Sequence, residues 1–569
     1  MLPVHQRKHT PDLDSVKVQI NKIRLAFGSP SVACGVLHHG QVIFRLGEGL
    51  AEVEAGRRPD ADTVYPIGSC TKAFTAATCA ILVQEGLLSW DEPVSTYIPE
   101  FRTVHDEEVG QKANLVDMLS HATGLAPTDH AILGFHDEHY SEGADQVRIS
   151  SNLPVGCGFR AGFVYNNFMY GLVGEVIQRV CSKSAGAVMK DKIFRPLNLD
   201  RTCTSAADYP PDGNIATGYS VVDNGTLLPL DDPRLEDGAA QGAAGFVRST
   251  VNDMLAWAKA VMEAESQQHA REASVGFDGL LPGIALTRSA RRHITSDPTG
   301  DEDCYGLGWF RHTIPSRWLG SISPNFMLLP DPPVIGRLSQ RRLAISHYGA
   351  SGGFLSSFYT FPDTCSAIIV MANSSPSRGD PTDLIAQSLC QELFDMRPKI
   401  PLQSFALKAA ETSKLIWPTL VRNWVLSRAE GDTAPPAAAD YVGSYRHANL
   451  PLQVDISEVP RLQPSRRPGG PGKWNMQSLT FSVNGLARQT AKLRHYHHDV
   501  WTFLPNSRDD AARKGMERYM SLPSILLSFA RDKAGRISSL EWDVHGGWLD
   551  DAQPQGMRNP PPIRFQKTC

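Results

Sequence analysis

The sequence predicts an α+β domain followed by a smaller all-β domain. Three observations carry this: strand-like alternation near the amino terminus, a long middle with helical periodicity, and a return to strands, first around a Gly-rich stretch near residue 350 and again beyond residue 441. With 569 residues, 41% of them hydrophobic and 20% charged, the chain can bury a large core and is expected to divide into more than one domain.

Residues 31–37 and 41–46 alternate like two strands around the turn His39-Gly40, a β-hairpin pattern. From 71 to 85 the run TKAFTAATCAILVQE holds apolar and small residues at helical spacing without Pro or Gly, and Gly86 supplies a stop. A buried helix therefore starts at or just before Ser69. Residues 168–180, 251–264 and 383–394 also read as helices, and 345–371 as two strands around a Gly-rich turn. A central sheet must hide both faces, so helices are expected to cover it. Two polar, Pro-rich stretches, 267–299 and 314–340, read as surface insertions. A helix over 402–426 leads to AEGDTAPPAAAD, a linker composition. Beyond it YVGSYRHANLPLQVDI, SLTFSVNGL, AKLRHYHHDVWTFL and GRISSLEWDV alternate like strands. The expected units are 1–397, a helix and linker over 398–440, and a β domain over 441–569, with no repeat of fixed period.

A net charge of −4 with both signs spread along the chain gives no footprint for nucleic acid or an anionic membrane. The opening MLPVHQRKHTPDLDSVKVQI has no apolar core, and no stretch has about twenty consecutive apolar residues, so a cytoplasmic protein is expected. Ten cysteines without CxxC spacing fit reduced core thiols, with Cys70 a packing residue.

Three stretches point to chemistry. In GSCTKAFTAA, Ser69 and Lys72 stand three residues apart, on one face of a helix and close enough to exchange a proton. A serine hydroxyl is a weak nucleophile at neutral pH, and a desolvated lysine of lowered pKa can take its proton. In FVYNNFMYGLVGEVI, Tyr165 and Asn167 precede an apolar helix. A phenol beside that lysine titrates with it, so either Lys72 or Tyr165 can be the base, while the bland reading of Tyr165 is a core tyrosine. In SHYGASGGF, His347 and Gly349 lie on a strand entering a Gly-rich turn, where the amides of Ser69 and Ala350 are the natural pair of oxyanion donors. A strand histidine of no special role is the alternative for His347.

SxxK, YxN and HxG in this order resemble the motifs of the serine β-lactamase, penicillin-binding-protein (DD-peptidase) and esterase superfamily, particularly its class C-like branch; SxxK is among the worked catalytic motifs of protein chemistry. VYPIGSCTKAFTA, LLSWDEPVSTYIPEF, NLVDMLSHATGL, IFRPLNLDRT, GAAGFVRSTVNDMLAWA, YGLGWF and FPDTCSAIIVMAN are similar to further segments of that family over about the first 395 residues. The resemblance implies a β-lactamase/transpeptidase-like domain in which Ser69 is acylated and Lys72 and Tyr165 manage its proton. It implies that Asn167 bonds Lys72 and the acyl group, that His347, Gly349 and Ala350 form the third motif, and that no metal or organic cofactor is needed. The implied partner is a small-molecule or peptide acyl substrate: an ester, thioester or amide, alternatively a D-amino-acid peptide, less readily a β-lactam. A non-catalytic binding protein on the same fold is the competitor from another class. The last domain resembles the lipocalin-like β-barrels appended to some members, which restrict substrate size or mediate self-association, so an oligomer is compatible.

The chain departs from the pattern at His347, where β-lactamases normally carry lysine, at Asn166, where relatives have Ser or Ala, and at Tyr348, which must either turn away from the pocket or narrow it. Asp117 and His121 tempt a Ser/His/Asp reading but are expected to be structural. Residues 495–498, HYHH, are expected on a surface strand rather than around a metal, and Trp309, Trp501 and Trp542 in the core.

Overall fold

The structure, a computed structural model, describes residues 11–233, 235–270, 279–294, 303–429, 433, 436–458, 479–544 and 560–568. Its centre is an eight-stranded antiparallel sheet of β1 (Ser31–His38), β2 (Gln41–Gly49), β3 (Arg292–His293), β4 (Cys304–Tyr305), β5 (Phe310–Ile314), β6 (Arg342–Ser351), β7 (Phe354–Phe361) and β8 (Ser366–Ala372), in the order β2-β1-β8-β7-β6-β5-β4-β3. The first hairpin turns at His39-Gly40, both with positive φ, as a two-residue turn matched to strand twist requires. Strands from the two ends of the domain meet in mid-sheet, with Val32 opposite Ala372.

The helices of ten residues or more are α1 (Lys17–Ala26), α2 (Thr71–Gln84), α3 (Asn167–Cys181), α4 (Val251–Ala270), α5 (Pro381–Leu393), α6 (Leu402–Ser413) and α7 (Ile416–Ala429). Strand alternation sorts the sheet into two cores. Ala33, Leu37, Phe358 and Ile369 face a core built with α2, α3 and α4, whereas Cys34, Val36, Tyr359 and Ile368 face one built with α1, α5 and α6. Being covered on both sides, β8 is buried along its whole length, which is why it reads as the unbroken apolar run SAIIVMA.

The remaining strands, β9 (Gly443–Arg446), β10 (Gln453–Glu458), β11 (Leu479–Val483), β12 (Thr490–His497), β13 (Val500–Thr502), β14 (Leu526–Arg531), β15 (Ile537–Trp542) and β16 (Ile563–Lys567), close into a barrel in sequence order, the last pairing with the first. Val454, Ile456, Phe481, Leu493, Trp501, Leu527 and Phe565 fill it at period two. The expected barrel is thus present, and Trp309, Trp501 and Trp542 are buried as expected.

Several expectations need correction. Residues 345–371 hold parts of three strands rather than two, because Pro362 to Thr364 make a 3₁₀ turn that splits the second apolar run. The helix expected over 402–426 is two, α6 and α7; Pro418 lacks an N–H and sits in the first turn of α7, where that donor is not needed. Residues 314–340 are no mere surface insertion, since Leu319, Leu328, Leu329 and Ile335 are buried in the second core. Within 267–299, α4 runs on to Ala270 and β3 adds an edge strand, while 271–278 and 295–299 lie outside the described residues, as do 430–432, 434 and 435 of the expected linker. The strands β14 and β16 were not anticipated; both are short, and β14 follows a helical turn at Pro523. Among the described residues no helix is long and apolar enough to cross a membrane.

The helix that carries Lys72 is fixed by Phe74 stacking on the buried Trp257 of α4, ring centroids 4.3 Å apart. Trp257→Ala is expected to destabilise this domain by about 3–5 kcal/mol, the usual result of emptying a large core site. A guanidinium denaturation midpoint unchanged from the wild type would contradict that placement.

Candidate active site

Ser69 lies in a 3₁₀ turn, Gly68–Cys70, that runs directly into α2. The turn is interlocked with β6. Gly68 adopts φ 49°, and a Cβ there would lie 2.7 Å from the amide nitrogen of Ala350; a Cβ on Gly349 would lie 1.9 Å from the carbonyl oxygen of Ile67. Only hydrogen fits at either position, so two glycines allow the backbones to touch and set the amide of Ala350 beside the nucleophile turn.

Lys72 is fully buried one helical turn on, and its Nζ has three partners: Ser69 Oγ at 2.9 Å, Asn167 Oδ1 at 2.8 Å and the carbonyl oxygen of Ala244 at 3.0 Å. The last two can only accept. The orientation of the Asn167 amide follows from its other end, where Nδ2 donates to Asp129 Oδ2 at 2.9 Å, leaving Oδ1 toward the lysine. A neutral amine has two N–H bonds, and those two acceptors take both. Its lone pair is then left facing the Ser69 hydroxyl. Burial favours this neutral form by lowering the Lys72 pKa to about 7, against the opposing pull of the Asp129 charge.

Tyr165 covers the amine, its ring centroid 4.8 Å from Lys72 Nζ. Burial pushes the phenol well above its ordinary value, while Ser69 acts in the opposite sense, although the two hydroxyls make no hydrogen bond of ordinary geometry. The phenol therefore stays neutral, and the amine is the more readily deprotonated of the two.

His347 stands beside this group, 6.4 Å from Tyr165 between ring centroids. Its Nδ1 is 2.6 Å from the carbonyl oxygen of Tyr348 and must donate; Nε2 then accepts from the Tyr305 hydroxyl at 3.0 Å. Burial holds its pKa down to about 3, so the ring is neutral with both nitrogens engaged. Tyr348 points the other way, as the next residue on a strand must, and packs against the second core. It does not narrow the site.

The structure thus brings together Ser69, Lys72, Tyr165, Asn167, His347, Gly349 and Ala350, which lie far apart in the chain. Sequence reasoning missed Asp129, Gln241, Ala244 and Tyr305. Asp129 accepts from both Asn167 and Gln241 Nε2, and Gln241 begins the turn that presents the Ala244 carbonyl. No local pattern distinguishes these residues, since each supplies a hydrogen-bond donor or acceptor to another chain segment. The Asp117/His121 reading fails on geometry: Asp117 pairs with Arg160 at 2.7 and 2.8 Å and caps a helix, while His121 Nδ1 accepts from the Asn166 amide. Asn166 itself caps α3 through Phe168 N. Cys70 is buried against Ser356 and the carbonyl of His347, its thiol raised to about 12 and unreactive. His495 bonds the backbone of His498, and no three metal-ligating side chains converge among the described residues.

The beta-lactamase family model matches residues 22–389. The unguisins hydrolase ungD′ of Aspergillus campestris is 29% identical over 270 residues, covering 46% of this chain and 48% of that protein. Esterase EstB of Burkholderia gladioli is 27% identical over 208 residues, covering 35% of this chain and 52% of the esterase. The chain thus spans about half the length of these curated relatives. The octameric penicillin-binding protein homologue from Pyrococcus abyssi superposes with a TM-score of 0.55 at 18% identity, covering 98% of this chain and 100% of that one, and so shares the fold.

Gly349→Ala tests the interlock between strand and nucleophile turn. The added methyl has to push the Ile67 carbonyl away, and the rate of fluorophosphonate labelling is expected to fall about 10²-fold while circular dichroism stays native. Labelling at the wild-type rate would show that β6 does not set the position of Ser69.

Proposed function

The chain belongs to the beta-lactamase family, and on that premise we propose that it is a serine hydrolase or acyltransferase that forms an acyl-enzyme on Ser69. The observation that carries this is the Lys72 amine, 2.9 Å from Ser69 Oγ with its two other partners obligate acceptors. In the first step the Ser69 proton passes to Lys72 Nζ as Oγ bonds to the carbonyl carbon of the substrate. The amides of Ser69 and Ala350 receive the oxyanion. Collapse breaks the bond to the leaving group, which takes a proton relayed from Lys72 through the Tyr165 phenol. Water or another acceptor then attacks the ester on Ser69 by the reverse path.

Esters, thioesters and uncharged amides suit the site best. A cationic residue in the third motif would draw a substrate carboxylate, whereas His347 is neutral with both nitrogens engaged. That favours neutral acyl groups over β-lactams and carboxylate-bearing peptides. One relative is named a hydrolase of unguisins and another an esterase, which supports hydrolysis over transfer. D-Amino-acid peptides remain the second reading, because the same four groups would serve them. Self-association belongs to the proposal too. The solved relative of like fold is octameric, and α6, α7 and the turn between them expose Leu407, Leu415, Val425 and Leu426, an apolar surface suited to another copy of this chain. Light scattering is expected to give a multiple of the 62.3 kDa chain mass; a monomer at micromolar concentration would remove that part.

A fluorophosphonate is expected to add its mass to the protein, at Ser69, and Ser69→Ala to abolish the adduct and lower turnover of a p-nitrophenyl ester by at least about 10³-fold. Turnover should rise with pH through an acid limb near pH 7, because Lys72 acts unprotonated. Faster relative turnover of a D-alanyl anilide would favour the second reading. Equal labelling of wild type and variant, or ligand binding without turnover, would overturn the proposal.

A further inference from the structure

The barrel is more than an appendage, because one loop of the catalytic domain is seated in it. Residues 129–141 leave the domain surface and insert Phe135 among Phe481, Phe503 and Tyr519, with ring centroids 5.3–6.2 Å away. The backbone of Phe135 is then held at both ends by one barrel side chain. Gln489 Oε1 accepts from Phe135 N at 2.7 Å, and Gln489 Nε2 donates to the Phe135 carbonyl at 2.9 Å and to Glu138 Oε2 at 2.6 Å. Gln489 is wholly buried, and a Cβ on Gly134 would lie 2.2 Å from its Oε1, so the loop has a glycine where the glutamine enters. Two more barrel contacts lock the same loop: Asn484 Nδ2 donates to the Tyr140 carbonyl at 2.9 Å, and Arg518 pairs with Asp137.

This loop begins with Asp129, whose two carboxylate oxygens orient Asn167 and Gln241, the residues that present the acceptors to Lys72. We propose that Gln489 is a positioning residue of the acylation site: through the seated loop, the barrel holds Asp129 in place and thereby aims the Lys72 amine at Ser69. This rests on the acyl-enzyme reading of Ser69 and adds to it a catalytic purpose for the second domain. The coupling runs through side-chain hydrogen bonds to the loop backbone, the packed Phe135 ring and the backbone bond from Leu133 N to the Asp129 carbonyl, a path on which a small displacement at one end is felt at the other because a close-packed core does not deform gradually.

The test uses the full chain with Gln489→Ala, Gly134→Ala, Asp129→Asn, and Ser538→Ala as a barrel variant whose hydroxyl bonds the Ala530 carbonyl within the barrel. Asp129's charge holds the Lys72 pKa up. When the loop loosens and Asp129 withdraws, that pKa falls, so the acid limb of ester turnover is expected to move to lower pH while the plateau kcat drops about 10–10²-fold. Gln489→Ala and Gly134→Ala should behave alike, and combining Gln489→Ala with Asp129→Asn should move the limb no further than Asp129→Asn alone. Ser538→Ala should change neither quantity. Hydrogen exchange supplies a readout independent of activity: amides of residues 133–141 should exchange at least about 10-fold faster in Gln489→Ala, with the barrel strands unchanged. An unshifted limb with wild-type exchange would overturn the inference, and so would a kcat loss in Gln489→Ala that Ser538→Ala reproduces. If wild-type Ser69 takes no fluorophosphonate, the acyl-enzyme reading fails instead, and the exchange data alone decide whether Gln489 seats the loop.

Discussion

The site depends on keeping a lysine amine dry. An exposed lysine is an ammonium at neutral pH and cannot take a proton from serine. Lys72 becomes useful because α2, α3, Tyr165 and Tyr170 enclose it completely, which removes the water that would stabilise its charge. Desolvation alone would leave the amine free to turn. The carbonyl of Ala244 and the amide oxygen of Asn167 remove that freedom by taking its two protons, so pKa and aim are set by the same enclosure.

That enclosure has to be held by something stiffer than the loops forming it. The sheet does this. β6 is paired on both edges and buried under two cores, and it meets the nucleophile turn at two glycines with no room for a side chain. A shift of the strand therefore becomes a shift of Ser69. The third motif is in this sense mostly mechanical: Gly349 allows contact, His347 is locked by Tyr305 and by its own backbone, and Ala350 contributes an amide. On the proposed function, a neutral, tethered histidine at this position changes what the cleft attracts without disturbing the contact.

Much of this was legible in the sequence, for physical reasons that also mark where legibility ends. Ser69 and Lys72 are three residues apart on one helix, so helical geometry alone joins them. Tyr165 and Asn167 sit at a helix start whose apolar periodicity is plain. The barrel strands β9 to β12 alternate at period two and were read, whereas β14 hides behind a Pro-initiated turn and β16 is a short terminal strand. Residues 314–340 misled because Pro and polar residues there separate Leu319, Leu328 and Ile335, which reach the core singly rather than as a periodic face. Asp129 and Gln241 were invisible, since each acts through contacts to distant segments and neither belongs to a repeating pattern.

In the proposed acylation, the placement of Asp129 explains how an acidic residue can serve a base that acts in its neutral form. A carboxylate in direct contact with Lys72 would form an ion pair, raise the lysine pKa and leave an ammonium with no lone pair for the serine proton. Here one amide stands between them. Asn167 transmits the direction of the Asp129 carboxylate, because the acid can only accept and so forces the amide to present its oxygen to the lysine, but it transmits only part of the charge. Gln241 bonds the second oxygen, and the negative charge is spread over two donors before Lys72 feels it. The remaining Coulombic pull opposes burial, and the balance leaves the amine near neutrality, where it can both receive the Ser69 proton and give it up again.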